Sequence, residues 1–292
     1  MEKALEIKNL VKTYGKARGV SDISLTVQKG DFYGFIGPNG AGKSTTIRSM
    51  LGLIKMNSGI IRLLGMDIEK NKVEILKRIG YMPSETMFYP RMRVLEIIKM
   101  SADAYKTDCS EKAGELCERL RVDTHKRIEE LSLGNRKKIS IVCALQHKPD
   151  LYIFDEPTSG LDPLMQKEFF ALLAEVNKEG VTIFFSSHVL SEIQNYCSSA
   201  AIIKDGKIIA VDSVSNLTKT NARKVRLRGV KDAPALPGIT GLSTEADSIS
   251  FLYRGSMKAI ISALDKLPVT DVIIEEPSLE EIFMHYYEKE GI

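Results

Sequence analysis

Eight consecutive residues, Gly37-Pro38-Asn39-Gly40-Ala41-Gly42-Lys43-Ser44, set glycines, a lysine and a hydroxyl at the spacing G-x-x-x-x-G-K-[ST]. Glycines let main-chain N–H groups turn inward into a nest for phosphate oxygens, at the positive end of a helix dipole. Lys43 has the reach to meet β- and γ-phosphates, the Ser44 hydroxyl suits Mg²⁺, and Thr45 opens the helical pattern behind them. The chemistry this spacing suits is the holding of a nucleoside triphosphate. A second constellation is Leu151-Tyr152-Ile153-Phe154-Asp155-Glu156, four apolar residues followed by two acids. A buried strand that ends so delivers its carboxylates to one edge of a sheet. Beside a phosphate loop, Asp155 suits the Mg²⁺ shell through water and Glu156 suits polarising an attacking water. Taken alone, the pair fits an ordinary strand end with solvated acids better; its place after a phosphate loop reverses that preference. His188 closes a third apolar stretch, residues 181–185 followed by Ser186-Ser187-His188. A neutral imidazole there can hydrogen-bond a γ-phosphate oxygen, and a purely structural histidine is the competing account.

These groups need elements to aim them. The apolar run Phe32–Ile36 feeds the glycine loop, and Ile47, Met50, Leu51, Leu53 and Ile54 recur behind it at helical spacing. Strand, loop, helix is the context that phosphate binding requires. Earlier, Leu5-Glu6-Ile7 and residues 23–27 alternate as short strands, and Asn57-Ser58-Gly59 turns the chain into residues 60–64. Residues 88–146 change character, with apolar positions at helical spacing, and read as a helical insertion. Strand patterns return at residues 151–154, 181–185, 200–203 and 208–211, with a helical pattern through Phe169, Leu172, Leu173 and Val176. Strands alternating with helices predict a mostly parallel sheet covered on both faces. Past about residue 218 the composition shifts, and strands at 224–227 and 248–253 with a helix at 257–267 predict a small separate α+β domain. The predicted domains are thus 1–217 and 218–292.

Composition excludes several classes. A chain of 292 residues with 43% apolar and 27% charged residues is that of a globular protein with a sizeable core. Its net charge of +3 gives no argument for nucleic acid or an anionic membrane as a direct partner. Cys109, Cys117, Cys143 and Cys197 show no C-x-x-C spacing, so reduced thiols in the cytoplasm are the expectation. The start Met-Glu-Lys-Ala has no secretory apolar region, and the longest apolar runs are far short of the roughly 20 residues that span a bilayer. Any work at a membrane therefore falls to a partner.

From about residue 4 to 217 the order and spacing of these pieces resemble the ATP-binding-cassette (ABC) ATPases. Tyr14, in Val11-Lys12-Thr13-Tyr14-Gly15, resembles the family's aromatic platform for adenine. Leu131-Ser132-Leu133-Gly134-Asn135 resembles the signature sequence, whose Ser132 and Gly134 would meet the γ-phosphate of the opposite subunit's ATP. Ser159-Gly160-Leu161-Asp162 resembles the loop that crosses the dimer interface, and Gly80-Tyr81-Met82-Pro83-Ser84 the loop joining the core to the helical subdomain. The resemblance implies an α/β fold: a P-loop NTPase core with an antiparallel β subdomain and a helical insertion, beside the C-terminal α+β domain. It also implies ATP and Mg²⁺ as cofactors, and two ATP molecules sandwiched between head-to-tail cassettes, in a homodimer or with a paralogue. The motion would pass to a separately encoded integral membrane permease, with the chain peripheral on the cytoplasmic face.

Two departures from the family pattern stand out. Leu133 and Asn135 replace the commoner glycine and glutamine of the signature. Ser84 replaces a glutamine that contacts Mg²⁺ and the water; its shorter hydroxyl would act through a bridging water, or neighbouring Glu85 would substitute for it. The ending Glu275-Glu276-Pro277-Ser278-Leu279-Glu280-Glu281-Ile282-Phe283 resembles that of ATPases driving exporters of drugs and peptide antibiotics; Pro277 and the two following acids also suit a plain helix start. Met87, Phe88, Tyr89, Pro90 and Met92 are candidates for the membrane-partner contact or for a buried start to the helical subdomain. The competing functional readings are a soluble ABC protein acting on ribosomes or nucleic acid, and a non-hydrolysing regulatory cassette.

Overall fold

The computed structural model describes residues 2–15, 17–218, 222–230, 232–245 and 247–275. The chain divides into two compact units, Met1–Asp212 and Ser213–Ile292. The first opens with β1 (Lys3–Tyr14), β2 (Ala17–Gln28), β3 (Phe32–Ile36), α1 (Lys43–Met50), β4 (Ser58–Leu63), β5 (Met66–Asp67), α2 (Ile68–Lys77) and β6 (Ile79–Met82). Three helices follow, α3 (Val94–Tyr105), α4 (Ser110–Arg119) and α5 (Leu133–Leu145). The chain then returns through β7 (Leu151–Asp155), α6 (Pro163–Lys178), β8 (Thr182–Ser187), α7 (Leu190–Tyr196), β9 (Ser199–Lys204) and β10 (Lys207–Ser213).

The central six-stranded sheet has the order β10-β9-β3-β8-β7-β6, and β3, β6, β7, β8 and β9 pair in parallel. Every residue of β3, β7 and β8 is buried. That is why they read as continuous apolar runs rather than alternating ones: helices cover both faces. Tyr33 stacks on Phe184 at 5.9 Å between ring centroids, and Phe35 tilts against the same ring at 5.5 Å. Each such buried ring contributes about 1.5–3 kcal/mol of transfer free energy.

A four-stranded antiparallel sheet, β2-β1-β4-β5, lies on the other side of α1, which packs on β1, β2 and β4 and also on β7. Ile47, Met50 and Leu51 of that helix region are buried in the cluster the two sheets share. The short strands predicted here are in fact one long ribbon, twelve residues in each of β1 and β2. Asn9 and Asp22 adopt positive φ (49° and 56°), and the Asn9 side chain donates to Asp22 at 2.7 Å across register shifts. These irregularities break the alternation without ending the strands. A second correction concerns residues 80–82, expected as a connecting loop. They form β6, the sheet's edge strand, paired with β7 from Ile79↔Leu151 to Met82↔Phe154. Only Pro83 and Ser84 begin the loop. The polar α2 was also missed; only Ile68 and Ile75 of it are buried, and Asp67 caps it through the Glu69 N–H.

The helical insertion contains α3, α4 and α5 as predicted. Arg119 of α4 forks onto Glu168 (2.8 Å) and Glu175 (2.6 Å) of α6, tying the insertion to the sheet's covering layer. Among the described residues no helix is long and apolar enough to cross a membrane.

The second unit contains α8 (Val214–Thr218), β11 (Ala222–Arg228), β12 (Ile239–Glu245), β13 (Ser248–Arg254), α9 (Met257–Leu264) and β14 (Asp271–Glu275). Its sheet has the order β12-β13-β11-β14, and Val225, Leu227, Ile249, Phe251 and Tyr253 form its core with Ile260 and Leu264 of α9. The exporter-like ending, residues 277–283, lies outside the described residues.

Candidate active site

Parallel register sets the site. Ile36 pairs with Ser187 and Asp155 with Ser186, so β3, β7 and β8 finish together at one carboxyl edge. The glycine loop, the two acids and His188 all emerge there, where ligands bind in open α/β sheets.

Gly42 caps α1 at φ 109°, a conformation closed to other residues without strain, and a Cβ there would stand 2.6 Å from Val20 Cγ1. Lys43 is only 4% exposed, and its ammonium donates to the carbonyls of Gly37 (2.6 Å) and Pro38 (3.0 Å) and pairs with Glu156 Oε1 at 3.0 Å. An open cleft of about 400 Å³ lies over the loop, from Asn39 and Gly40 through Gly42 to Ser44 and Thr45. Ser84 and Glu156 close its other side. The chain thus brings Ser84 to the loop despite the shorter side chain. Gly19 of β2 also lines the cleft; nothing in its sequence surroundings marks it.

Asp155 is fully buried, and its Oδ1 accepts from Ser186 Oγ at 2.8 Å. Its Oδ2 is buried without a hydrogen-bond partner. A buried, half-unsatisfied carboxylate is costly unless another ligand completes it. The next residue, Glu156, sits at φ 49°, and its N–H donates to Ser186 Oγ (3.1 Å) and Ser186 O (3.2 Å). Its Oε2 lies 3.1 Å from His188 Nδ1. Burial pushes the Glu156 carboxyl up, but the Lys43 hydrogen bond and charge, together with His188, outweigh it and hold the group below its ordinary range. His188 is 46% exposed. Lys43, Glu156 and His188 therefore form one connected row, of which Lys43 and Glu156 line the cleft.

The other residues singled out by the family resemblance lie elsewhere. Tyr14 ends β1, with the Lys12 ammonium 4.9 Å above its ring. Ser132 caps α5 through the Asn135 N–H, and Asp162 caps α6 through the Met165 N–H at 3.0 Å. Gly134 is needed for close approach, since a Cβ there would stand 2.7 Å from the Gly160 carbonyl oxygen. The signature stretch and the loop carrying Asp162 thus pack together as one face. Tyr14, Ser132, Gly134 and Asp162 do not line the cleft over the glycine loop. Sequence reasoning missed Ser186, which holds Asp155 and Glu156 at once, and Lys137. The Lys137 ammonium donates to Glu156 O at 2.7 Å, and burial pulls its pKa below the ordinary lysine value.

A glycine loop between strand and helix, a buried aspartate one residue before a glutamate, and an antiparallel sheet capping α1 define a P-loop nucleoside triphosphatase of the cassette type. The family model "ABC transporter" matches residues 20–159. The bacitracin transport ATP-binding protein BcrA of Bacillus licheniformis is 39% identical over 226 residues, 76% of this chain and 74% of its own length. The linearmycin resistance ATP-binding protein LnrL of Bacillus subtilis is 29% identical across 96% of this chain and 97% of its own. A solved ATP-binding subunit of an ABC transporter superposes with a TM-score of 0.70 at 29% identity, covering 74% of this chain and 92% of that one. The chain belongs to the ABC transporter ATP-binding proteins, and is an ABC ATPase.

Proposed function

We propose that this ATPase powers a membrane exporter for drugs, peptide antibiotics or similar molecules, through a separately encoded transmembrane permease. The connected row Lys43–Glu156–His188 beside buried Asp155 carries the hydrolytic part of that reading. Relatives named for bacitracin transport and linearmycin resistance support export.

In this reading the loop from Gly37 to Thr45 cradles the phosphates, and a γ-phosphate takes the Lys43 ammonium from Glu156 Oε1. That leaves the Glu156 carboxylate to accept the proton of an attacking water, while His188, whose neutral ring carries one N–H, gives that donor to the γ-phosphate in place of Glu156 Oε2. Mg²⁺ fits the residues present: Ser44 lines the cleft and Asp155 Oδ2 is an unsatisfied acceptor. Ser84, which also lines the cleft, would act on that ion through a bridging water, and the ion would neutralise charge building on the phosphates. Tyr14 stacks the adenine. Ser132 and Gly134 engage the ATP held by a second cassette, and Asp162 lies in the interface so formed, so that ATP binding closes the pair. Met87 (89% exposed) and Tyr89 (65% exposed) project from the loop after Ser84 and offer the apolar contact for the permease. The chain then works on the cytoplasmic face of the membrane.

The test is affinity capture of the tagged chain from detergent-solubilised membranes of its host, with turnover assayed on the eluate. An integral membrane protein that co-purifies and changes turnover is the expected result. Recovery of soluble protein, ribosomes or nucleic acid alone would overturn the exporter reading and leave the ATPase standing.

A further inference from the structure

Lys137 is a buried cation that the hydrolytic scheme leaves without a task. It lies on α5, one turn after Gly134, and is 1% exposed. A fully buried ammonium is retained in a fold only when something fixed accepts its hydrogen bonds. Here the acceptor is the main-chain oxygen of Glu156, at 2.7 Å. Glu156 itself is held at φ 49°, sparsely populated for any residue but glycine. Such a conformation persists only where its surroundings over-determine it. Ser186 fixes the Glu156 N–H from one side and Lys137 its carbonyl from the other. The carboxylate leaves the backbone between these two clamps.

We propose that Lys137 is a positioning residue for hydrolysis. It fixes the Glu156 peptide so that the carboxylate stands in line with the water, and it ties that peptide rigidly to the helix whose N-terminus carries Ser132 and Gly134. The same helix end lies against Gly160 through Gly134, so α5 grips the segment 156–162 at two points. A shift of α5 when its signature end meets the second cassette's ATP moves the Glu156 peptide with it. Hydrolysis in one site is thereby linked to closure at the other. The inference rests on the reading of Glu156 as the base.

The test compares Lys137→Met, Lys137→Gln and Glu156→Gln, singly and combined, in the 292-residue chain with Mg-ATP. Lys137→Met keeps the length and removes the donor. Its kcat is expected to fall about ten- to a hundredfold, the scale of a misplacement near 1 Å, with KM for ATP and melting temperature little changed. Lys137→Gln keeps an N–H donor and is expected to recover much of that loss. In the Glu156→Gln background, Lys137→Met is expected to add nothing further, since both act through one group. A full wild-type kcat in Lys137→Met, with Glu156→Gln inactive, overturns the inference alone. Should Lys137→Met fail to fold, Lys137→Gln decides: a fold kept with kcat lost as completely as in Glu156→Gln refutes the hydrogen-bond role. Undiminished turnover in Glu156→Gln overturns the base reading and this inference together.

Discussion

Replacing Glu156 with glutamine tests the hydrolytic reading at its narrowest point. The substitution keeps shape and leaves the backbone clamps of Ser186 and Lys137 intact, so the fold is expected to survive. What disappears is the proton acceptor, and general-base catalysis is worth about 10²–10⁴ in rate, or roughly 3–5 kcal/mol of barrier. A second effect has the opposite sign. Glu156 Oε1 holds Lys43 at 3.0 Å, and phosphate must displace it. The pair is part-exposed on the glutamate side, so its loss amounts to about 1 kcal/mol rather than the larger value of a dry ion pair. Lys43 keeps the Gly37 and Pro38 carbonyls meanwhile and is not stranded. ATP affinity is therefore expected to rise by about fivefold while phosphate release falls by at least a hundredfold. Phosphate release at saturating Mg-ATP, equilibrium binding and light scattering measure the three consequences, the last being an ATP-trapped dimer. Turnover equal to wild type would remove Glu156 from the role; unchanged affinity would show that its contact with Lys43 does not compete with phosphate.

Three further outcomes are expected. Because the native Glu156 carboxyl lies below its ordinary value of 4.5, it contributes stability above that value and loses the contribution as pH falls through the lower native one. The melting-temperature gap between wild type and Glu156→Gln should thus stay level on acidification and close only below pH 4.5; closure well above it would mean that burial, not Lys43, governs the group. Met87→Ser with Tyr89→Ser is expected to abolish partner-stimulated turnover and spare basal turnover, and retained stimulation would place the permease contact elsewhere. Burial pushes the Cys143 thiol up to about 12 and raises Cys117 and Cys197 as well. All three are half-buried, so it is the raised thiol pKa that should slow their modification by iodoacetamide at about pH 8 relative to the denatured chain; equal native and denatured labelling rates, read by mass spectrometry, would contradict those shifts.

The chemistry-bearing strands were legible because burial on both faces leaves a plain mark. Phe32–Ile36 and Leu151–Asp155 are unbroken apolar runs that stop where the chemistry starts. Less was legible where geometry departs from periodicity. The bulges at Asn9 and Asp22 hid two long strands, and β6 is too short to show any period. β12 and β14 went unseen because their exposed faces carry no regular apolar alternation. Within the site, the glycine loop and the acids announce themselves by type and spacing. Ser186 and Lys137 do not, because a serine at a strand end and a lysine in Arg136-Lys137-Lys138 look like solvated polar residues. Only the fold reveals that one of three adjacent cations is entombed.

The alignment of Ile36, Asp155 and Ser187 at one sheet edge has a consequence for how this protein is judged in the laboratory. Neighbouring strands that slid by one residue would turn the acids to the other face of the sheet and displace them from the glycine loop by about 3.3 Å. That is several times the tolerance of a proton transfer, yet the chain could still collapse and stay in solution. Expression level and solubility are blind to such an error. Turnover per binding site is not: at equal dimer content, lost register at this edge lowers hydrolysis while the glycine loop still binds ATP.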